Sequence, residues 1–445
     1  MFLVPEFLIC LYVVYLAWMG QAWLRLFVPD RGWNWTSLSW SFGLGTIVWG
    51  YGQFLLNVFD LPVHGVWLYG WQGVLVVVPV IIRHSVVGWS LTSYRRKPVP
   101  STLLDWAPTS VGVTAEGEGT LSWASIVLVA LIAIALLTAT LQALTLPMHM
   151  WDSIVIYGFK AKILFQEQTF KTRAFLDPEV YHYSADYPLL IPYLESGFYR
   201  WLGHPDDRVV RLLFTAYWAS WLGVMYDALA LRLRRDRALG LVALVATLPL
   251  FSNIYMGQAS SGFADIPFAL YWTAFLVCPP SLMPFLAVGC AFTKNEGIPL
   301  VLIGWALRGH YRSALTALSL LAPWGWARHL LPHNAAHYLR TPDWALLAVR
   351  LKLIGSSLAG EILRFHNWGL FWFLSLIGLT WPAGPLRKES KVLLAAVGLQ
   401  LACYTSVYLI YPQSLELLLP VTWPRLLIHM VGPLVAALGW KFGDG

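Results

Sequence analysis

Charged residues are scarce in this sequence. Only 12% of its 445 residues are Asp, Glu, Lys or Arg, whereas 58% are hydrophobic. An ordinary soluble domain has about 25% charged residues, so the composition excludes that class. The net charge of +7 lies in short clusters between apolar runs rather than along one face, which argues against nucleic acid as a partner.

Cysteine is also rare. The four cysteines lie far apart in apolar segments, at Cys10, Cys278, Cys290 and Cys403. Their spacing fits neither a disulfide framework nor a zinc site. The first residues lack a basic n-region and an A-x-A cleavage site, and Glu6 precedes the first apolar run, so we expect a retained helix rather than a cleaved signal peptide.

Long apolar runs fill most of the chain. A helix needs about 20 apolar residues to cross a bilayer, and it satisfies its backbone polar groups internally. The pattern predicts an all-α polytopic membrane protein with about 13 transmembrane helices. Many of the 25 tryptophans flank these runs, as expected of rings that anchor at lipid headgroups. The runs lie at 4–28, 39–59, 66–90, 122–146, 208–231, 238–252, 264–278, 281–293, 297–308, 313–331, 366–382, 391–411 and 424–440.

Basic clusters predict the orientation. If each run crosses once, all clusters fall on one side, which the positive-inside rule assigns to the cytoplasm. The N-terminus is then extracytoplasmic and the C-terminus cytoplasmic, in a multi-pass protein of the cell membrane. The clusters are Arg25 with Arg31, 83–97, 232–237, 308–312, 387–391 and Lys441.

Composition divides the chain into three parts. Residues 1–92 hold three predicted transmembrane helices with few polar residues, which we interpret as a structural addition. Residues 93–121 are rich in Pro, Ser, Thr and Gly and predict a cytoplasmic linker. Residues 122–445 form the predicted core. Its long first outer loop, 147–207, contains apolar stretches too short to span, which suit helices lying in the membrane interface.

Charged residues stand at the predicted outer ends of several apolar runs. Charges at membrane depth are costly, by about 2.5–3.5 kcal/mol on insertion scales, and usually line a bundle interior or cavity. Acids and bases on one face therefore predict one shared site. These residues are Asp152, Asp265, Lys294, Glu296 and Arg425.

Such a mixture of acids and bases suits transfer from a phosphate-linked donor. A carboxylate takes the proton of an attacking hydroxyl, and cations stabilise the departing phosphate. A donor with its lipid tail in the bilayer would bring its phosphate to this depth. The residues therefore indicate sugar transfer from a lipid phosphate.

Five motifs resemble the GT-C superfamily of integral membrane glycosyltransferases, in particular bacterial family-39-like and dolichyl-phosphate-mannose-protein-mannosyltransferase-like proteins. In chain order they are "WDSIVIYGFKAKILF", "HYSADYPLLIPYL", "FADIPFALYW", "FTKNEG" and "RLLIHMVGPL". They span residues from about 122 to 440. The resemblance implies a GT-C-type bundle with interfacial helices in its long first outer loop, and the membrane and cell envelope as its location.

The resemblance also implies a chemistry. The donor would be a polyprenyl-phosphate-linked sugar, and the acceptor a hydroxyl of a glycan, lipid or protein. Asp152 matches the family's catalytic acid and would be the general base of an inverting transfer, while Asp265 matches its second acid. The family's "PPL" region looks like "DYPLL" here, with Tyr187 in place of a proline or basic residue, a departure that bears on the role of Asp186.

The remaining predicted site residues surround the donor. Lys294 and Arg425 are expected to bind its phosphate, since a guanidinium fork and an ammonium both suit that group. Relatives that use lipid monophosphates mostly need no metal, although oligosaccharyltransferase relatives do. The resemblance therefore implies a reaction without a cofactor, and a divalent metal is not favoured. The substrate pocket is expected to contain Trp151, His182, Asp186, Tyr187 and Glu296.

Each residue also has a structural explanation. Asp152 and Asp265 suit helix caps, and Lys294 and Arg425 suit side chains that reach for headgroups. Lys160 and Lys162 are expected to contact lipid headgroups on an interfacial segment. A zinc site built from His149, Asp152, His182 and Asp186 is an alternative without the spacing typical of one.

Two other functions compete with sugar transfer. A transporter or lipid flippase places its site near the midplane between related halves, but the chain shows no internal repeat. An O-antigen polymerase or ligase uses lipid-linked sugars with arginine-rich outer loops.

Overall fold

The structure is a computed structural model. It describes residues 4–28, 31, 33–93, 122–180, 184–253, 257–332, 345–382, 386–412 and 414–443, and these contain helices but no strand. The predicted linker at 93–121 lies outside the described residues, apart from residue 93. The all-α prediction is confirmed for the described part of the chain.

The helices follow the predicted apolar runs closely. Short turns at Asp152–Gly158 (π-helix), Val209–Arg211 and Gln258–Ser260 (3-10 helices) supplement them. The α-helices are α1 (Val4–Phe27), α2 (Trp35–Val58), α3 (Gly65–Ser93), α4 (Trp123–Thr145), α5 (Phe159–Glu167), α6 (Arg173–Leu176), α7 (Leu190–Leu202), α8 (Leu212–Ala230), α9 (Arg235–Ala246), α10 (Pro249–Ser252), α11 (Asp265–Val277), α12 (Met283–Thr293), α13 (Gly297–Arg308), α14 (Tyr311–Leu330), α15 (Leu347–Ile362), α16 (Phe365–Trp368), α17 (Phe371–Thr380), α18 (Lys388–Leu409) and α19 (Leu415–Phe442).

Fewer helices reach membrane-spanning length than the sequence predicted. Among the described residues, five are long and apolar enough to cross a bilayer, rather than about 13: α1, α3, α4, α18 and α19. Four shorter apolar helices, α11, α12, α13 and α17, have 10–17 residues. At about 1.5 Å per residue, helices of 10–13 residues reach roughly 15–20 Å, short of the 30 Å hydrocarbon core.

The first two helices belong to the core of the bundle. A Cβ on Gly20 would lie 1.7 Å from the Ser41 carbonyl oxygen, so α1 and α2 cross in direct backbone contact. Helix α2 also packs against α7, α8 and α12, and most of its side chains are buried. Helices α1 and α2 therefore pack into the same bundle as α7 and α8, and the interpretation of residues 1–92 as a structural addition stays a prediction.

Two outer segments differ from the predicted loops. Helix α15 occupies part of the predicted loop 332–365 and packs against α18 and α19. Helix α19 begins at Leu415, well before the predicted run at 424, because Pro420 and Pro424 lie inside the helix rather than ending it. Arg425 is consequently a side chain of a continuous helix.

Short helices also occur in the loop 147–207, as the sequence predicted. The π-helical turn and α5 follow α4, and α7 is buried against α1, α2 and α5. Their position at a membrane interface stays a prediction. The arrangement brings the turn that carries Asp152 close to the start of α11 and the side of α19.

Candidate functional site

Asp152 lies at the start of the π-helical turn after α4. Such turns carry an extra residue in the helix and occur frequently at functional sites. The next residue fixes the position of the turn, because the Ser153 hydroxyl donates a 2.6 Å hydrogen bond to the Ser261 carbonyl just before α11. The Asp152 side chain keeps 22% exposure, so it remains accessible.

Arg425 joins Asp152 to a second carboxylate. Its Nη1 lies 2.7 Å from Asp152 Oδ2, and its Nε donates to Asp265 Oδ2 at 2.8 Å. The guanidinium also lies over the ring of Phe263, 4.1 Å from its centroid. A planar fork can hold two carboxylates in fixed directions, which a single ammonium cannot do.

Asp265 is the buried centre of the site. It is the first residue of α11 and is fully buried. Lys294 Nζ donates to its Oδ1 at 2.7 Å, and His429 Nε2 lies 3.3 Å from the same oxygen. Asp265 therefore contacts the ammonium group of Lys294 at the end of α12 and two side chains of α19, those of Arg425 and His429.

Glu296 completes the ion-pair network. Its Oε1 lies 2.8 Å from Lys294 Nζ, in the turn between α12 and α13. We call Asp152, Asp265, Lys294, Glu296 and Arg425 the charged cluster. It contains three carboxylates and two cations, so it carries one excess negative charge when His429 is neutral.

Two phenols lie near the charged cluster. Tyr157 and Tyr187 both interact electrostatically with Asp152 and Arg425. Burial raises the pKa of each phenol above its usual value, and the carboxylate of Asp152 raises it further. Both hydroxyls are therefore neutral and can donate hydrogen bonds.

Lys160 is not the headgroup contact that the sequence predicted. Its side chain is fully buried, and Nζ donates to the carbonyls of Ser184 (2.6 Å), Ala185 (3.2 Å) and Tyr187 (3.1 Å). Burial lowers the pKa of Lys160 to about 7. Lys160 thus holds the segment that carries Asp186 and Tyr187 beside the charged cluster.

The other predicted pocket residues are more dispersed. Asp186 is buried and lies 3.6 Å from Arg328 of α14, while Trp151 is exposed. His182 lies outside the described residues. Lys162 forms a half-exposed ion pair with Asp207 at 2.5 Å, so it contacts protein rather than acting only as a headgroup anchor.

The structure also places side chains at the site that the sequence analysis missed. Besides Tyr157 and Lys160, they are His429, Tyr404 and Gln400, which are buried behind Asp265. His429 follows Arg425 by four residues, the spacing that puts two side chains on one helix face. That spacing was the available signal.

The chemistry available to the charged cluster is proton transfer beside a cation. In the described residues, no group of three or more His, Cys, Asp or Glu side chains is arranged to hold a metal ion. Asp152 has both a side chain that is 22% exposed and a guanidinium partner. A molecule that reaches Asp152 therefore also reaches Arg425, which is 14% exposed.

These features define an all-helical protein with apolar helices of membrane-spanning length and a partly accessible charged cluster. No protein-family model, curated protein or solved structure matches the chain. The resemblance to GT-C glycosyltransferases therefore stays a prediction from the five motifs.

Proposed function

We propose that the protein is a membrane glycosyltransferase that moves a sugar from a polyprenyl-phosphate donor to an acceptor hydroxyl, with inversion at the anomeric carbon. The observation that carries this proposal is the pairing of Asp152 with Arg425 at 2.7 Å, beside the buried pair of Asp265 and Lys294, with the Asp152 side chain 22% exposed. A base and a phosphate-binding cation are the two groups that this transfer requires.

In the proposed reaction, the acceptor hydroxyl donates its proton to Asp152 as its oxygen attacks the anomeric carbon. The bond between that carbon and the phosphate oxygen breaks, and the electron pair leaves with the lipid phosphate. The excess carboxylate of the charged cluster supports this assignment, because the cluster becomes neutral when Asp152 takes the proton.

Arg425 is the phosphate ligand in this proposal. Within the described residues its polar contacts use Nε and Nη1, which leaves Nη2 for a phosphate oxygen. Lys294 is buried and shared between Asp265 and Glu296, so we place it behind Arg425, where it neutralises both carboxylates. Asp265 is a positioning residue in this scheme.

We further propose that the helices form a GT-C-type bundle with the charged cluster on the extracytoplasmic face of the cell membrane. The short helices α11, α12, α13 and α17 would lie within the bundle beside the five longer ones.

Sugar transfer is tested with purified protein in proteoliposomes that contain synthetic polyprenyl-phosphate sugars labelled in the sugar, mixed with a solubilised cell-envelope extract that supplies glycan, lipid and protein acceptors. Release of free polyprenyl phosphate reports donor turnover without knowledge of the acceptor. Asp152→Asn should abolish release while the protein stays folded. Asp177→Asn, which removes an acid of the same outer loop that pairs, among the described residues, with Arg173 and the backbone amide of Glu179, should retain it.

Two outcomes would contradict the proposal. Undiminished release in Asp152→Asn would reject Asp152 as the base. Movement of the labelled lipid across the bilayer by the wild-type protein, without any release of polyprenyl phosphate, would favour a transporter or flippase.

A further inference from the structure

A chain of buried hydrogen bonds runs from the interior of the bundle to His429, which lies beside the charged cluster. Trp272 Nε1 donates to Gln400 Oε1 at 3.0 Å, and Gln400 Nε2 donates to the Tyr404 hydroxyl at 3.0 Å. The Tyr404 hydroxyl lies 2.8 Å from His429 Nδ1, and His429 Nε2 lies 3.3 Å from Asp265 Oδ1. Each of these residues is buried.

The chemistry of its first member sets the direction of this chain. An indole N–H can only donate, so the amide oxygen of Gln400 faces Trp272 and its NH2 faces Tyr404. The Tyr404 oxygen then accepts from Gln400 and keeps its own proton for His429 Nδ1. The proton of a neutral imidazole is therefore on Nε2, the nitrogen that lies 3.3 Å from Asp265 Oδ1.

The opposite tautomer is unfavourable in this geometry. It would place the Nε2 lone pair against a buried carboxylate and leave the Tyr404 hydroxyl proton without an acceptor, and buried unpaired groups are costly. A doubly protonated ring would add a third cation beside Lys294 and Arg425 around the same acid.

We propose that His429 is a positioning residue, held as the Nε2–H tautomer by the chain through Trp272, Gln400 and Tyr404. Its Nε2–H lies 3.3 Å from Asp265 Oδ1, so it attracts this carboxylate electrostatically and keeps it turned so that Oδ2 receives Arg425 Nε. Arg425 then presents Nη1 to Asp152 and Nη2 to the ligand. The part that concerns turnover rests on the proposed sugar transfer, whereas the tautomer does not.

The tautomer is measured directly by solid-state NMR of the full-length protein with ¹⁵N-labelled histidine in lipid bilayers. The His429 signals are assigned by their loss in His429→Gln. We expect a protonated Nε2 and an unprotonated Nδ1, since the two states of a ring nitrogen have well-separated ¹⁵N shifts. A protonated Nδ1 would overturn the proposal, whether in the other tautomer or in a doubly protonated ring.

The origin of the tautomer is tested by removing the hydroxyl that fixes it. Tyr404→Phe should give a mixture of the two His429 tautomers. The matched control is Tyr271→Phe, which removes a buried phenol hydroxyl of α11 that bonds to Thr46 and Tyr217 instead. Unchanged His429 shifts in Tyr404→Phe would contradict the role of the chain.

Turnover separates positioning from a general structural role. The amide NH2 of glutamine can occupy the place of Nε2, whereas that of asparagine corresponds to Nδ1. We expect His429→Gln to retain kcat for donor turnover and His429→Asn to lose it roughly 10- to 100-fold, as expected for a lost bond to a charged group, with little change in the donor KM. Equal losses in both variants would reject positioning by Nε2–H. If neither the wild type nor any variant turns over donor, the proposed function fails while the NMR result still decides the tautomer.

Discussion

Loss of the Asp265 charge should destabilise the protein more than loss of any exposed acid. Asp265→Asn keeps the size of the side chain but turns an uncharged amide toward Lys294 and Arg425, which now approach the two carboxylate oxygens at 2.7 and 2.8 Å. Hydrogen bonds to charged groups are worth about 1.5–3 kcal/mol each. The cations keep Glu296 and Asp152 as partners, so we expect a loss of about 3–5 kcal/mol in the free energy of unfolding, the range for a broken buried ion pair.

The assay is reversible unfolding by SDS in mixed micelles, followed by circular dichroism. Asp60→Asn is the matched control, because Asp60 pairs with Lys171 at 2.6 Å but its side chain is 77% exposed. That variant should lose less than about 1 kcal/mol. Lys294→Met should lower the free energy of unfolding less in the Asp265→Asn variant than in the wild type, since the two residues interact directly. Equal stability of Asp265→Asn and Asp60→Asn would refute the buried network as described.

Three further predictions concern protonation and binding. Burial lowers the pKa of Lys160 to about 7, so the unfolded chain keeps this proton to higher pH than the folded protein does. The free energy of unfolding should therefore rise between pH 7 and pH 10, by at most about 1.4 kcal/mol per pH unit. Lys160→Met should abolish that slope when unfolding is measured as a function of pH. Burial raises the pKa of Glu195, whose carboxylate oxygens have no hydrogen-bond partner among the described residues. Stability should therefore fall as pH rises above about 4.3, and a decline that persists in Glu195→Gln would contradict this assignment. Arg425→Lys cannot bridge Asp152 and Asp265 through two nitrogens, so the donor KM should rise at least about tenfold; an unchanged KM would remove Arg425 from the phosphate site.

The charged cluster was predictable from the sequence because its members share one rare property. Asp152, Asp265, Lys294, Glu296 and Arg425 are charged residues at the outer ends of apolar runs, where a charge needs partners. Helices that end on one side bring such residues together, and the structure pairs all five. Their individual chemical roles stay predictions.

Whether each polar side chain is buried or exposed could not be predicted in the same way. A lysine in a short amphipathic segment usually reaches toward solvent, but Lys160 is buried because three backbone carbonyls later in the same outer loop accept its protons. His429 was missed because its only local signal is the four-residue spacing from Arg425, which does not say what the histidine contacts. Only the pairing of α18 and α19 brings it to Tyr404.

The number of membrane-spanning helices was overestimated for a related reason. An apolar run of 12 residues looks the same whether it is half of a span or a short helix buried in protein. Helix α11 is buried along its whole length, and its apolar side chains are explained by packing against α8, α12 and α19. Its composition therefore carries no information on lipid contact.

The most direct measurement of the central claim is an experimental structure of the protein with polyprenyl phosphate bound in a lipid nanodisc. We predict phosphate density within hydrogen-bonding distance of Arg425, on the side of the charged cluster that exposes Asp152, with the prenyl chain running along apolar helices. Phosphate density remote from both residues, with the charged cluster unoccupied, would contradict the proposed site.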